Sequence, residues 1–337
     1  MRILIPSVLS PLAIAGREPN APVQSLGGET MGTSWSAHVV LPPARGLPLA
    51  AVEAVILQRL EEVIVQMSQW EEASLLSQYN RAAPGTWHGL PAPFRAVLKH
   101  AQSIAAQTGG AFDPTLGALV DLWGFGPAPR RATPPAPPEI EAALSTGGWR
   151  KLQFDISGRR LLQPGGLRLD FSGIAKGFAV DHVADALRRL GLHHFLVEIG
   201  GELRGEGVKP DGAPWWVDIE RPAVFPPAGW AEMRAALHGL SIATSGSYRR
   251  WFESNGKHYS HTLDPRTGWP IDNGIISATV LHPSCMMADA YATALTVLGA
   301  EEAAAFAAEQ KIAAYLIRHG DKGVEETLSP ALREMLD

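Results

Sequence analysis

Asp289 and Thr293 stand four positions apart in the run Ala288-Asp289-Ala290-Tyr291-Ala292-Thr293-Ala294-Leu295, whose alanine-rich composition predicts a helix. Four positions is close to one helical turn, so a carboxylate and a hydroxyl share a face. Burying that pair among alanines is costly unless something satisfies its oxygens, and a hard oxygen-seeking cation such as Mg²⁺ does so. The competing reading makes Asp289 a helix N-cap and Thr293 a small core residue.

A second constellation is Leu167-Arg168-Leu169-Asp170-Phe171-Ser172-Gly173-Ile174-Ala175-Lys176-Gly177-Phe178-Ala179-Val180-Asp181. It reads as a short alternating strand running into Asp170, a turn with Ser172 as helix cap, and a helix stopped at Gly191. Gly173 lets backbone approach a ligand, and a helix start offers free N–H groups. Lys176 puts a cation in the first turn, where the helix dipole favours an acid, which points to an anionic ligand. An ordinary solvated lysine on a βα turn is the alternative.

The composition fits a soluble globular chain: 46% of the 337 residues are hydrophobic and 19% charged, with a net charge of −5, so no basic excess argues for nucleic acid. The arginine pairs at 130–131, 188–189 and 249–250 read as solvated faces or single phosphate contacts. Cys285 is the sole cysteine, which excludes an intrachain disulfide and any cysteine-based metal cage. The histidines form no HExxH helix, His193-His194 falls at a turn, and neither a GxGxxG nor a Walker loop is present.

Residues 1–23 read as a leader. The apolar run Ile3 to Ala15, ending in Ala13-Ile14-Ala15 before Gly16, has the pattern of a short signal peptide, although Pro6 and Pro11 interrupt it and Arg2 is its only early cation. The run directs an expectation of a periplasmic or inner-membrane-associated protein, with the cytoplasm as the alternative. It is too short to span a bilayer, and no lipid-anchor cysteine follows.

Apolar spacing predicts helices over Ala50–Met67 and Pro93–Gln107, separated by a polar, aromatic-rich loop from Met67 to Asn80. The proline-rich stretch Pro127–Pro138 is a surface connection before a short helix. Strands are expected at Lys151–Ile156, Leu161–Leu162, Leu167–Asp170, Phe195–Ile199, Trp215–Glu220, Leu240–Thr244, Ile275–Leu281 and Ala313–Ile317. Irregular interleaving with four or five helices argues for an α+β fold of mixed sheets with packed helices, in one domain over 24–320 followed by a tail, 321–337. Glu198 and Glu202 flank Gly200-Gly201, read as a close backbone approach or a strand bulge, and Thr244-Ser245-Gly246 reads as a turn.

Taken in order, Gly28-Glu29-Thr30-Met31-Gly32-Thr33, Gly110 to Thr115 with Leu122-Trp123-Gly124-Phe125-Gly126, Leu169 to Asp181, Glu198 to Glu202, Ala243 to Gly246, His258-Tyr259-Ser260-His261 with Asp264-Pro265-Arg266-Thr267-Gly268, and Ala288 to Thr293 resemble the ApbE family of flavin transferases. The resemblance runs from about residue 24 to 320. It implies an ApbE-like fold and a magnesium-dependent FAD:protein FMN transferase. Such an enzyme cleaves FAD, moves FMN to a threonine or serine hydroxyl of an acceptor flavoprotein, and releases AMP. The acceptor would carry a short Ser/Thr-containing flavinylation motif and be a membrane redox subunit. By similarity, Met31, Trp70, Ala111, Phe112, Asp113, Asp170, Lys176 and Leu263 line the FAD site. The backbones of Gly173 and Ala292 and the side chains of Asp289 and Thr293 hold Mg²⁺. Trp70 stands where tyrosine is usual, and Gly173 where alanine or threonine is usual. Stacking survives the first change, and a carbonyl ligand survives the second. With Asp289 as the metal carboxylate, the motif makes His261 the base that takes the acceptor's proton; the alternative is that His261 binds phosphate or orients Asp264. Spending the same site on water would give a FAD pyrophosphatase, and a non-catalytic FAD-binding protein is a third reading.

Overall fold

The computed structural model describes all residues except 7, 223–231, 249 and 321–322. Strands in chain order are β1 (Arg2–Leu4), β2 (Val23–Thr30), β3 (Thr33–Val40), β4 (Trp87–Gly89), β5 (Arg160–Leu162), β6 (Phe195–Ile199), β7 (Glu202–Glu206) and β8 (Trp215–Asp218). They continue with β9 (Met233–Leu237), β10 (Leu240–Gly246), β11 (Trp251–Ser254), β12 (Lys257–Ser260), β13 (Ile275–His282), β14 (Ala313–Gly320) and β15 (Gly323–Leu328). The helices are α1 (Pro11–Ala15), α2 (Leu49–Met67), α3 (Leu75–Arg81), α4 (Ala92–Gln107), α5 (Gly117–Leu122), α6 (Pro137–Thr146), α7 (Ala175–Arg189), α8 (Cys285–Leu298), α9 (Ala300–Glu309) and α10 (Pro330–Arg333).

An eight-stranded sheet in the order β15-β14-β13-β10-β7-β6-β3-β2 forms the centre. All of its neighbours pair antiparallel. Strand directions mix only in the small sheet β1-β9-β8, where β1 runs parallel to β9. Both faces of the central strands are covered. Along β13 and β14, Ala278, Val280, Ala314 and Leu316 join the large core under the helices, while Ile276, Leu281, Tyr315 and Ile317 join a second core with Leu4, Trp215, Met233 and Leu332. That two-sided burial is why every residue of β13 but His282 is buried, Ser277 and Thr279 included.

The fold is α+β, as the interleaving predicts. Several predicted elements differ. Lys151–Ile156 yields only a 3₁₀ turn at Trp149–Lys151 and one bridge at Phe154. Leu167–Asp170 is not a strand: the Asn80 side chain both donates to and accepts from the Leu169 backbone, and Asp170 N donates to Pro114 O. Thr244-Ser245-Gly246 is not a turn but the end of β10. Gly200-Gly201 is not a bulge; with φ of 61° and 98° it closes the β6–β7 hairpin, a geometry that glycine tolerates best. Residues 75–80 of the expected loop belong to α3, with Ser74 as its cap. The segments read as leader and tail pack onto the same body. Leu4 is fully buried, Ile5 N donates to Met335 O, Asp337 N donates to Ile3 O, and β15 pairs with β14. Among the described residues no helix is long and apolar enough to cross a membrane.

The site is built on α7 and α8. Gly177 allows their close contact, because a Cβ there would overlap the Cys285 carbonyl and stand 2.7 Å from Asp289 Cβ. Gly177→Ala is therefore expected to cost at least about 1–3 kcal/mol, as overpacking does. It should also displace Asp289. Thermal melts of the purified variant check this; an unchanged melting temperature would mean the helices part freely.

Candidate active site

Several loops, the helices α7 and α8 and the segment after β12 converge on one cavity of ≈ 420 Å³, within the range of small-molecule sites. Met31 reaches it from the β2–β3 turn, where its φ of 49° is in the left-handed region and Gly32 follows at 71°. Trp70 comes from the loop after α2 and is 57% exposed, free to lie against a planar ring. Ala111, Phe112 and Asp113 follow α4; Asp170 and Gly173 precede α7; Lys176 lies in its first turn; His261 and Leu263 follow β12. Asp289 and Thr293 complete the wall from α8. Ala292 is the exception. It is fully buried and is not part of the cavity lining, and its carbonyl, the backbone ligand that the resemblance implies, accepts the Thr296 hydroxyl at 2.8 Å.

Asp289 is 3% exposed and accepts a hydrogen bond from Gly177 N at 2.9 Å. It does cap a helix start, but that of α7; its own helix is capped by Ser284. Thr293 Oγ1 lies 3.1 Å from Ser245 Oγ. A Cβ on Gly173 would stand 3.0 Å from the same Thr293 oxygen, so the backbone before α7 closes over it. One carboxylate, two hydroxyls and nearby carbonyl oxygens form a hard donor set that suits Mg²⁺, an ion that also keeps waters and takes substrate phosphate. No group of three His, Cys, Asp or Glu capable of holding a metal exists among the described residues, so Asp289 would be the site's charged ligand.

Lys176 Nζ is 2.7 Å from the Glu202 carboxylate, which is buried. The lysine is thus oriented by an acid brought in on β7, a partner that spacing along α7 does not reveal. Ser172 is not the helix cap: its N–H and hydroxyl both donate to Asp170 Oδ1. Asp170 Oδ2 is buried with no hydrogen-bond partner among the described residues, and burial pushes its carboxyl above the usual carboxylate range. An orphaned acceptor on a cavity wall fits a ligand that brings a donor. Asp113 is also raised by burial, but it holds the turn, accepting from Thr115 N, Thr115 Oγ1 and Trp149 N.

The Asp170 shift has a signed consequence. Its folded value lies above the unfolded ~3.9, so the folded protein holds the extra proton between those two values and gains stability as pH falls through that window. Asp170→Asn lacks that window. Its melting temperature should stand highest relative to the parent near pH ~7 and lose ground toward pH ~4. Parallel melts across that range check it; a constant offset would mean the Asp170 carboxyl is not perturbed.

His261 is held by the Arg250 carbonyl, which accepts from its backbone N–H at 3.0 Å and lies 3.1 Å from Nδ1. Its ring meets Phe125 edge-on, with centroids 6.3 Å apart. An Nδ1–H donated to that carbonyl makes Nε2 the basic nitrogen. Asp264 is paired with Arg266, at 2.9 Å. The β11–β12 hairpin carrying these residues is seated by Trp123, whose indole donates to Gly268 O at 2.9 Å and packs against Phe252 and Tyr259. Arg250 and Ser245 line the cavity as well. Of the two alternatives for the pair 249–250, a solvated face or a single phosphate contact, the place of Arg250 in the cavity lining suits the second; Arg249 lies outside the described residues.

The sequence matches the ApbE family over residues 31–316. It is 38% identical to an FAD:protein FMN transferase of Vibrio cholerae, with 100% of this chain and 99% of that protein aligned, and 34% identical to one of Haemophilus influenzae over 98% and 96%. The structure superposes on the apo flavinyl transferase ApbE of Pseudomonas stutzeri with a TM-score of 0.86 at 37% identity, covering 94% of this chain and 97% of that one. An ApbE protein of Thermotoga maritima gives 0.82 at 27% identity, covering 93% and 99%. With its motifs, its fold and nearly its whole length shared with these proteins, the chain belongs to the ApbE family.

Proposed function

We propose that this chain is a transferase that moves the FMN half of FAD onto a threonine or serine hydroxyl of an acceptor flavoprotein, with Mg²⁺ bound and AMP released. The observation that carries the reading is that His261 lines the same cavity as Asp289, Thr293 and Lys176. A base, a cation and an oxygen donor set for a metal therefore face one ligand volume. Met31, Trp70 and Phe112 offer aromatic and apolar surface to ring systems, and the orphaned Asp170 oxygen accepts a ring N–H or ribose hydroxyl.

Asp289, Thr293 and the Gly173 carbonyl would hold Mg²⁺, which when bound neutralises phosphoryl oxygens and lessens their repulsion of an incoming nucleophile. Lys176, oriented by Glu202, adds positive charge beside the leaving phosphate. His261 takes the proton from the acceptor hydroxyl as its oxygen bonds to the FMN phosphorus. The bond from that phosphorus to the bridging oxygen breaks, and AMP departs with the electron pair. The acceptor is proposed to be a membrane redox subunit with a Ser/Thr-containing motif, met in the periplasm or at the inner membrane; the apolar run Ile3 to Ala15 and the family resemblance support that location.

Incubation of the purified protein with FAD, Mg²⁺ and a candidate acceptor tests the reading by intact-mass spectrometry. The acceptor should gain the mass of FMN less one water, the difference between FAD and AMP, while AMP appears in equal amount. FMN and AMP formed without any gain in acceptor mass would make the chain a FAD pyrophosphatase instead.

A further inference from the structure

The helices that carry the site meet in a fixed antiparallel register. Gly173 faces Thr293, Gly177 faces Asp289, and Asp181 faces Cys285, so each step of four positions through the turn before α7 and into that helix is matched by a step of four back along α8. At the first two rungs a glycine brings backbone against the oxygen-bearing residue. Glycine permits closeness but supplies no side chain to hold the register. The third rung does. Asp181 Oδ1 accepts from Cys285 N at 3.0 Å and from Arg204 Nη1 at 2.7 Å, and Oδ2 accepts from Met286 N at 3.0 Å and Ser284 Oγ at 2.7 Å. These include charge-assisted bonds from the first amides of α8, which have no partner within that helix and where the helix dipole favours an acid.

Arg204 anchors the same rung to the central sheet. From β7 it also donates to the Pro283 carbonyl at 2.6 Å and to Glu206 at 2.7 Å. A slide of α8 by one residue, about 1.5 Å along its axis, would break both amide bonds. The same slide would carry Asp289 and Thr293 past Gly177 and Gly173.

We propose that Asp181, clamped by Arg204, is the positioning residue for the divalent-cation donors of α8: it sets the register at which Asp289 and Thr293 face the turn before α7. This rests on the reading that those two residues hold a divalent cation. Partners behind the ligands of a metal site commonly change affinity 10–100-fold when removed, and that is the size of effect expected here.

Mn²⁺ alone is the probe, its free fraction read by electron paramagnetic resonance against the intact protein, with a melting curve for each variant. Asp181→Ala should weaken Mn²⁺ binding by about tenfold or more, and Asp181→Glu, which keeps the charge but lengthens the reach, should weaken it too. Ser284→Ala removes one donor and the helix cap but leaves both amides on Asp181; it should lower the melting temperature with little change in Mn²⁺ affinity. Should Asp181→Ala fail to fold, Asp181→Glu carries the test. Mn²⁺ affinity in the Asp181 variants within twofold of the parent, with only the melting temperature reduced, would overturn the proposal and leave Asp181 a helix cap. Asp289→Asn is the control: if it too binds Mn²⁺ as the parent does, the cation site lies elsewhere and the proposal falls with that reading.

Discussion

Asp289→Asn is expected to reduce FMN transfer by about three orders of magnitude or more, since a metal's charge stabilisation is worth several kcal/mol in a transition state and each 1.36 kcal/mol is about tenfold. Asparagine is the informative replacement. Its carbonyl can still accept from Gly177 N, the bond that Asp289 makes at 2.9 Å, so the α7 start stays capped while the charge is lost. A variant that melts like the parent but does not transfer would separate electrostatics from folding. Thr293→Val should be milder, because it removes one neutral oxygen at nearly constant shape, and raised Mg²⁺ should recover part of its rate. The measurement is initial transfer rate across a Mg²⁺ titration, with FAD binding followed separately. Parent-like turnover and Mg²⁺ dependence in Asp289→Asn would move the metal away from α8.

His261→Ala should lower the transfer rate by about 10²–10⁴-fold, the span of general acid–base catalysis, with FAD affinity nearly unchanged. The split between rate and affinity is the deciding quantity. His261 reaches the cavity from the end of β12, held at the Arg250 carbonyl and Phe125, whereas Trp70, Phe112 and Asp170 enclose the ligand volume from other elements. Losing the imidazole therefore removes a proton acceptor and leaves most of the ligand surface standing. A loss of FAD affinity in proportion to rate would reassign His261 to binding, as would near-normal transfer.

The site was legible where its chemistry is local. The four-residue spacing of Asp289 and Thr293 and the cation at the start of α7 are read from single helices, because helical geometry fixes which residues share a face. What completes the site comes from elsewhere in the chain. Glu202 reaches Lys176 from β7, and Ser245 reaches Thr293 from β10; neither pairing leaves a trace in sequence spacing. The same division holds for the fold. Strands β10, β13 and β14 announce themselves by buried apolar residues, but β2 exposes most of its length and β12 reads Lys-His-Tyr-Ser, so neither shows the alternation that marks a strand. Leu167–Asp170 alternates as a strand should, yet its backbone bonds go to Asn80 and Pro114. Tertiary partners overrode the local pattern there.

Gly177 and Asp289, joined by one hydrogen bond, are separated by 112 positions of chain, and the cavity draws its wall from Met31 through Val297. No short stretch of chain contains the site. Loop-closure entropy must be met before such distant pairings form, which places them late in folding. During refolding from denaturant, helical signal should therefore recover first, while quenching of FAD fluorescence awaits the final phase. Ligand that binds only the finished fold draws the equilibrium toward it, so FAD acts on this chain as a test of completion as much as a substrate.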